Sequence, residues 1–323
     1  MPEIDELTRS IEERITNIYE LEDSVRGYIN TTRYQNDLLK DSDNWNQICC
    51  SLDTIGDTLY SQQDYLSAKY PSSDGLKYIF TYGLLQALFI QQDAMRHLSE
   101  AFGIEFQLTD RLKEIRSMRN ASIGHPTKNK TKGSTYYNYI SRISLGKQGF
   151  TLIRSFDKGN NEFIVIEIYP IIDDQLKDIE SSYKILSEKL AEADKVNRDK
   201  YKDNLLADIF HSSMNYTISK VAEGIHSPHG NNVTFALSML NSIQKTYRKF
   251  EDALQERGDL NEYIKYDLDE YNNALSRLGN YLGHNASDLS DSDARIYLFY
   301  IREQHKHFEQ IAKEVDDDYR EKV

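Results

Sequence analysis

Apolar residues recur every three or four positions through most of the chain, the spacing that gathers side chains on one face of a helix. Ile4, Leu7, Ile11, Ile15, Ile18, Leu21 and Val25 form such a stripe and predict one amphipathic helix over about residues 3 to 39. The same period predicts helices at about 44 to 69 (through Ile48, Leu52, Ile55 and Leu59), 75 to 102 (through Leu84, Leu88, Met95 and Leu98) and 109 to 122 (Leu112, Ile115, Met118). Thr109 carries the short side-chain oxygen of an N-cap, Asp110 suits the positive end of the helix dipole, and Gly124 and Pro126 are helix terminators.

The period then falls to two. Tyr137, Tyr139 and Ser141, then Phe150, Leu152 and Arg154, then Ile164, Ile166 and Ile168 read as three short antiparallel strands. Gly146 to Gly149 and Lys158-Gly159-Asn160-Asn161 supply the hairpin turns between them. Helical periodicity resumes at about 172 to 194, 199 to 224, 232 to 256, 260 to 283 and 291 to 319. The expected fold is therefore mainly α, with two tandem halves at 1–196 and 197–323 and a small β insertion at about 135–170.

Composition agrees with that expectation. Among 323 residues, 15 Gly and 5 Pro are few, and 39% hydrophobic with 28% charged residues is a globular balance that favours long helices. The acidic start, Met1-Pro2-Glu3-Ile4-Asp5-Glu6, is no secretory signal and no apolar run is long enough to cross a bilayer, so a soluble, cytoplasmic protein without membrane partners is expected. Cys49 and Cys50 are adjacent, an arrangement that rarely bridges and has no zinc spacing, which favours a reducing compartment.

A net charge of -13 argues against nonspecific coating of nucleic acid, because that binding depends on lysine and arginine displacing counterions. Any polynucleotide must be met locally. Lys128, Lys130 and Lys132, followed by Arg142 and Lys147, form the obvious local site, and Tyr136, Tyr137 and Tyr139 beside them could stack bases. Solvated loop charges are the ordinary alternative.

The segment ahead of those lysines, Arg119-Asn120-Ala121-Ser122-Ile123-Gly124-His125-Pro126, sets a permanent cation and a titratable imidazole around a helix end. On a continuous helix, Arg119 and His125 would point roughly 120° apart. A stop at Gly124 lets the imidazole swing back, and the Asn120 amide can bind phosphate or hold the histidine tautomer. Arg277-Leu278-Gly279-Asn280-Tyr281-Leu282-Gly283-His284 echoes it about 159 residues later, with Leu278 where Asn120 stands. The ordinary reading of either copy is a Gly-His helix stop with a surface arginine.

These residues resemble the HEPN superfamily of helical domains, whose ribonucleases carry an arginine, four to six residues, then a histidine, commonly with Asn, Asp or His after the arginine. Arg119-Asn120 with five residues before His125 fits that pattern, whereas Arg277 to His284, with six between, lacks the polar residue. The resemblance implies two HEPN-like halves, the second degenerate, and RNA cleavage without metal or cofactor, with two such motifs meeting in a homodimer or within one chain. It implies His125 as general acid or base, Arg119 and Asn120 at the phosphate, a supporting role for Arg277 and His284, and 2',3'-cyclic phosphate ends. Toxin-antitoxin and abortive-infection systems use such domains, so an antitoxin or defence partner is part of the expectation. The modifiable tyrosine of some relatives is replaced here by Thr127 and Ala286. The alternative is a non-catalytic HEPN-like RNA-binding or protein-interaction module.

Other chemistry finds little footing. His211, His226 and His229, or His305 and His307, lack a cysteine or carboxylate frame and read as loop histidines rather than metal ligands. The chain holds no Walker loop, Rossmann glycine pattern or Gly-x-Ser-x-Gly elbow.

Overall fold

The computed structural model describes residues 2–131, 134–227, 232–283 and 289–320, so Lys132, His229, His284 and Ala286 lie outside the described residues. It is mainly helical, with ten α-helices and one four-stranded antiparallel sheet among the described residues. The chain divides into two compact units, Met1–Ile29 with Leu38–Leu190 and Asn30–Asp37 with Ala191–Val323.

In the first unit, α1 (Pro2–Ile29), α3 (Ser42–Ser67), α4 (Asp74–Ala101), α5 (Asp110–Arg119) and the first part of α6 (Ile168–Tyr201) surround one core. Ile11, Ile15, Ile18 and Val25 of α1 meet Ile48, Leu52 and Leu59 of α3 and Leu88, Met95 and Leu98 of α4 there, all buried. Predicted as one helix, residues 3 to 39 break after Ile29, and Thr31 O accepts from Tyr34 N and Gln35 N to open α2 (Thr32–Leu38). Asn30, Thr31 and Thr32 are poor helix formers whose side chains compete for the backbone, a break that apolar spacing does not reveal.

Four strands stand where three are predicted: β1 (Asn129–Thr131), β2 (Ser134–Ile140), β3 (Gly149–Phe156) and β4 (Glu162–Glu167), paired in chain order. β1 lies in the lysine segment and is too short to show a period. Pairing sets Tyr139 opposite Ile153 and Ile153 opposite Phe163, while Ile140 faces Leu152 and Phe150 faces Ile166. The second set is buried in the unit's core. Gly149 is required by proximity, since a β-carbon there would stand 2.1 Å from Ile166 O. Ile168, expected in a strand, opens α6 instead.

The second unit contains α2, the end of α6, α7 (Met214–His226), α8 (Val233–Arg257), α9 (Glu262–Leu282) and α10 (Asp291–Asp318). The predicted helix 199–224 is divided: α6 ends at Tyr201 and α7 begins at Met214. Between them Leu206 N and Ala207 N donate to the Asp316 carboxylate at 2.8 and 2.9 Å, satisfying amides that a continuous helix would have used internally. Phe210, Tyr247, Phe250, Tyr271 and Phe308 pack with His305 as an aromatic core. His305, read from sequence as a loop histidine, is buried in α10 with Nδ1 2.8 Å from the Tyr247 hydroxyl.

Candidate functional site

Helix α5 begins as its sequence dictates, with Thr109 Oγ1 accepting from Leu112 N at 3.1 Å. Leu112 and Ile115 bury one face, which turns Arg116 and Arg119 toward α4. The α-helix stops at Arg119, and Asn120–Gly124 continue as one π turn. Its closing bond runs from His125 N to Asn120 O at 2.8 Å, five residues back instead of four.

The two arginines three residues apart are treated differently. Both guanidinium carbons lie over the Phe89 ring, at 4.3 Å for Arg116 and 4.4 Å for Arg119. Arg116 is neutralised, since it pairs with Asp93 and also donates through Nε to Gln92 Oε1 at 3.0 Å. Arg119 donates to Gln86 Oε1 and, at 2.9 Å, to Asn120 Oδ1, and among the described residues no carboxylate pairs with it. Its Nε is buried without a partner. A fixed cation held by neutral amides keeps its charge free for an external anion.

Gly124 lies against this cation. A β-carbon at Gly124 would stand 2.7 Å from Arg119 Nη1 and 3.1 Å from Asn120 Oδ1, so only glycine leaves the guanidinium and its amide partner in place. The expectation that Gly124 frees the imidazole to swing toward the arginine takes a different form here. The glycine makes room for the arginine, while His125 is exposed to solvent and is held through its backbone N and O.

Behind the site runs a chain of fully buried glutamines. Gln92 Nε2 donates to Gln175 Oε1 at 2.8 Å, Gln175 Nε2 to Gln91 Oε1 at 2.7 Å, and Gln62 Nε2 to the same oxygen at 3.0 Å. These bonds tie α3, α4 and α6 together and end on Arg116. Buried amides hold position only when paired, so the chain fixes the part of α4 that carries Gln86, Phe89 and Asp93.

The sheet is anchored to the same loop. Asn138 N donates to Pro126 O and Asn129 Nδ2 to His125 O, each at 2.8 Å. Asn138 is buried, and its Oδ1 accepts from Arg154 Nε at 3.2 Å. Lys128, Lys130 and Arg142 are exposed, as proposed for nucleic-acid contacts. Lys147 is not available for that role: its Nζ donates to Leu66 O and Ala68 O, both at 2.7 Å, and caps the end of α3. Burial pushes its pKa down. Tyr136 packs against Phe156 and beneath Arg154, leaving Tyr137 and Tyr139 as the exposed rings.

Charge is concentrated here. Residues 119 to 161 hold eight lysines and arginines against one acidic residue, Asp157, a net of +7 in a chain of -13, so the remainder carries -20. A local excess of positive charge of that kind attracts anions.

The second segment is built otherwise. Helix α9 continues through Arg277 to Leu282, Leu278 is buried, and Gly283 N bonds to Gly279 O at 2.9 Å in an ordinary α turn. Arg277 is exposed, and among the described residues no partner is found for it.

Gln86, Phe89, Gln92, Asp93, Arg116 and Gln175 escape a reading based on motifs. One signal was present: Gln62, Gln91, Gln92 and Gln175 occupy core-facing helical positions where apolar residues are the rule. No family model matches the chain, and neither a curated protein nor a solved structure is found to be similar to it.

Proposed function

We propose that this protein is a metal-independent endoribonuclease of the HEPN type, with Arg119, Asn120 and His125 as its reacting group. The observation that carries the reading is the state of Arg119: anchored by Gln86, Asn120 and Phe89, and paired with no carboxylate among the described residues, with the exposed His125 six positions further along the chain.

In this reading His125 accepts the proton of a ribose 2'-hydroxyl. The 2'-oxygen attacks the adjacent phosphorus, the bond from phosphorus to the 5'-oxygen breaks, and that oxygen takes up a proton. The products are a 2',3'-cyclic phosphate and a free 5'-hydroxyl, with no net consumption of water or protons. Arg119 stabilises the charge that grows on the phosphorane oxygens, and Asn120 orients the phosphate. The second proton transfer belongs to the same imidazole or to one from a second copy of the chain. A role as a toxin or abortive-infection effector, with an antitoxin or defence partner, follows from the family resemblance.

The test is incubation of the purified protein with total RNA in EDTA beside the His125→Ala variant. Cleavage by the native chain that the variant lacks, leaving cyclic phosphate ends, is the expected result. Equal cleavage by both, or by neither, overturns the reading and leaves a non-catalytic RNA-binding or protein-interaction module.

A further inference from the structure

We infer that the outer face of the four-stranded sheet is a stacking platform for single-stranded RNA, which makes unpaired segments the substrate class of the adjoining site. The choice of RNA rests on the ribonuclease reading above; the surface itself rests on separate observations.

Directly paired residues share a face, and successive residues along a strand alternate. The register therefore sorts the insertion into two surfaces. One carries Phe150 and Leu152, 2% and 1% exposed, and Asn138, and closes the core. The other carries Tyr137 and Tyr139 on β2, Ile153 on β3, Phe163 and Val165 on β4, and Lys130 opposite Thr135. On it Tyr139, Phe163 and Val165 are 49%, 67% and 72% exposed. Aromatic and branched residues left in water on a structured sheet mark a binding surface, because an ordinary solvent face would be polar.

The occupant follows from charge and geometry. Strands β1 to β3 lie within residues 119 to 161; with Glu162 and Glu167 of β4 included, residues 119 to 167 carry +5 (eight lysines and arginines against three acidic residues), and Lys130 shares the aromatic face. A folded acidic protein would also answer the charge, but it has no reason to prefer separated rings. Tyr137 and Tyr139 stand about 7 Å apart along one strand, and Tyr139 and Phe163 about 10 Å apart across two strand spacings. Rings so placed can each receive one unstacked base while the cations follow the phosphates, the logic by which four-stranded sheets elsewhere read single strands. A duplex keeps its bases stacked inside and offers these rings nothing. The bond from Asn138 N to Pro126 O and the side-chain bond from Asn129 Nδ2 to His125 O fasten the sheet to the loop that carries His125.

The experiment is fluorescence anisotropy with a labelled single-stranded 12-mer carrying 2'-O-methyl riboses, which lacks the attacking hydroxyl and so reports binding apart from chemistry. Tyr139→Thr and Phe163→Thr keep strand propensity at exposed positions, and circular dichroism checks their folding. Each is expected to weaken binding about tenfold, within the range for one lost stacking contact, while a duplex of the same sequence binds more weakly and is indifferent to both changes. Unchanged affinity of the variants for the single strand overturns the platform. So does a native dimer that Phe163→Thr dissociates with oligomer binding intact, since the face would then join two copies. If the variants lose binding but His125→Ala still cleaves RNA at full rate, the catalytic reading fails and the platform stands.

Discussion

The helix end at Arg119–Gly124 and the helix end at Arg277–Gly283 share an arginine and a glycine in similar order, yet the fold uses them for different purposes. At the first, the chain leaves the α-helix through a π turn, the arginine is gripped by α4, and the following asparagine stays at the surface beside it. At the second, the helix runs on, the arginine extends into solvent, and the following leucine is buried in the core. A motif is thus a statement about composition, while chemistry depends on which neighbours hold the side chain. The residue after the arginine decides the matter, because Leu278 is needed inside and Asn120 is not.

The sharpest way to break this contrast is kinetic. His125→Ala is expected to lower RNA cleavage by about 10²- to 10⁴-fold, the usual loss on removing a general acid or base. Arg277→Ala is expected to cost less than about tenfold, or roughly 1.4 kcal/mol. Equal losses, measured by cyclic phosphate release, would make the two helix ends functionally equivalent.

Paired glycine substitutions sharpen the contrast next. Gly124→Ala forces a methyl to within 2.7 Å of Arg119 Nη1, so the guanidinium must move. The atom displaced is the far end of a long side chain, so stability is expected to change by less than about 1 kcal/mol, while cleavage is expected to fall at least tenfold. Gly279→Ala meets Leu240 Cδ2 at an ordinary 3.6 Å and is expected to stabilise by up to about 1 kcal/mol through helix propensity. Thermal melts of both variants decide this; a stabilised Gly124→Ala with full activity would remove the steric argument.

Arg119→Lys is expected to reduce cleavage about tenfold or more, because an ammonium cannot bond Gln86 and Asn120 as a planar fork while lying over Phe89. Arg277→Lys should be silent in the same assay.

The smallest effect concerns stability of the second unit. Burial lowers the pKa of His305, with Glu309 opposing the shift. The unfolded chain therefore takes up that proton first as pH falls, so stability is retained above about 6.5 and declines as pH drops through the lower folded value. Melting curves from pH 8 to 5 should show the decline, and His305→Gln should flatten it. An unchanged slope would mean that the imidazole does not control it.

Much of the fold was legible because apolar spacing reports which face of a helix is buried. The periods through Ile48 to Leu59, Leu84 to Leu98 and Leu112 to Ile115 emerge as α3, α4 and α5, and Thr109 caps as its side chain dictates. The breaks at Asn30 and after Tyr201 were not legible, since Thr31 O and the distant carboxylate of Asp316 satisfy the backbone there. Within the site, Arg119, Asn120 and His125 could be named from their spacing. Gln86, Phe89 and Asp93 could not, because they approach from α4 through tertiary packing. Lys147 was misread because a lysine in solvent and one capping a helix have the same local sequence.

The π turn has a consequence for how such strings vary in length. A turn closed by a five-residue bond accommodates one residue more than its α counterpart, so the number of residues between Arg119 and His125 no longer fixes the angle between them. Deleting Ala121 would let an ordinary α turn close here with Gly124 still about one turn beyond Arg119, on the same side of the helix. A change of one residue can therefore be absorbed by exchanging a π turn for an α turn, and relatives of this site are better sought by the turn that ends their helix than by a count of letters.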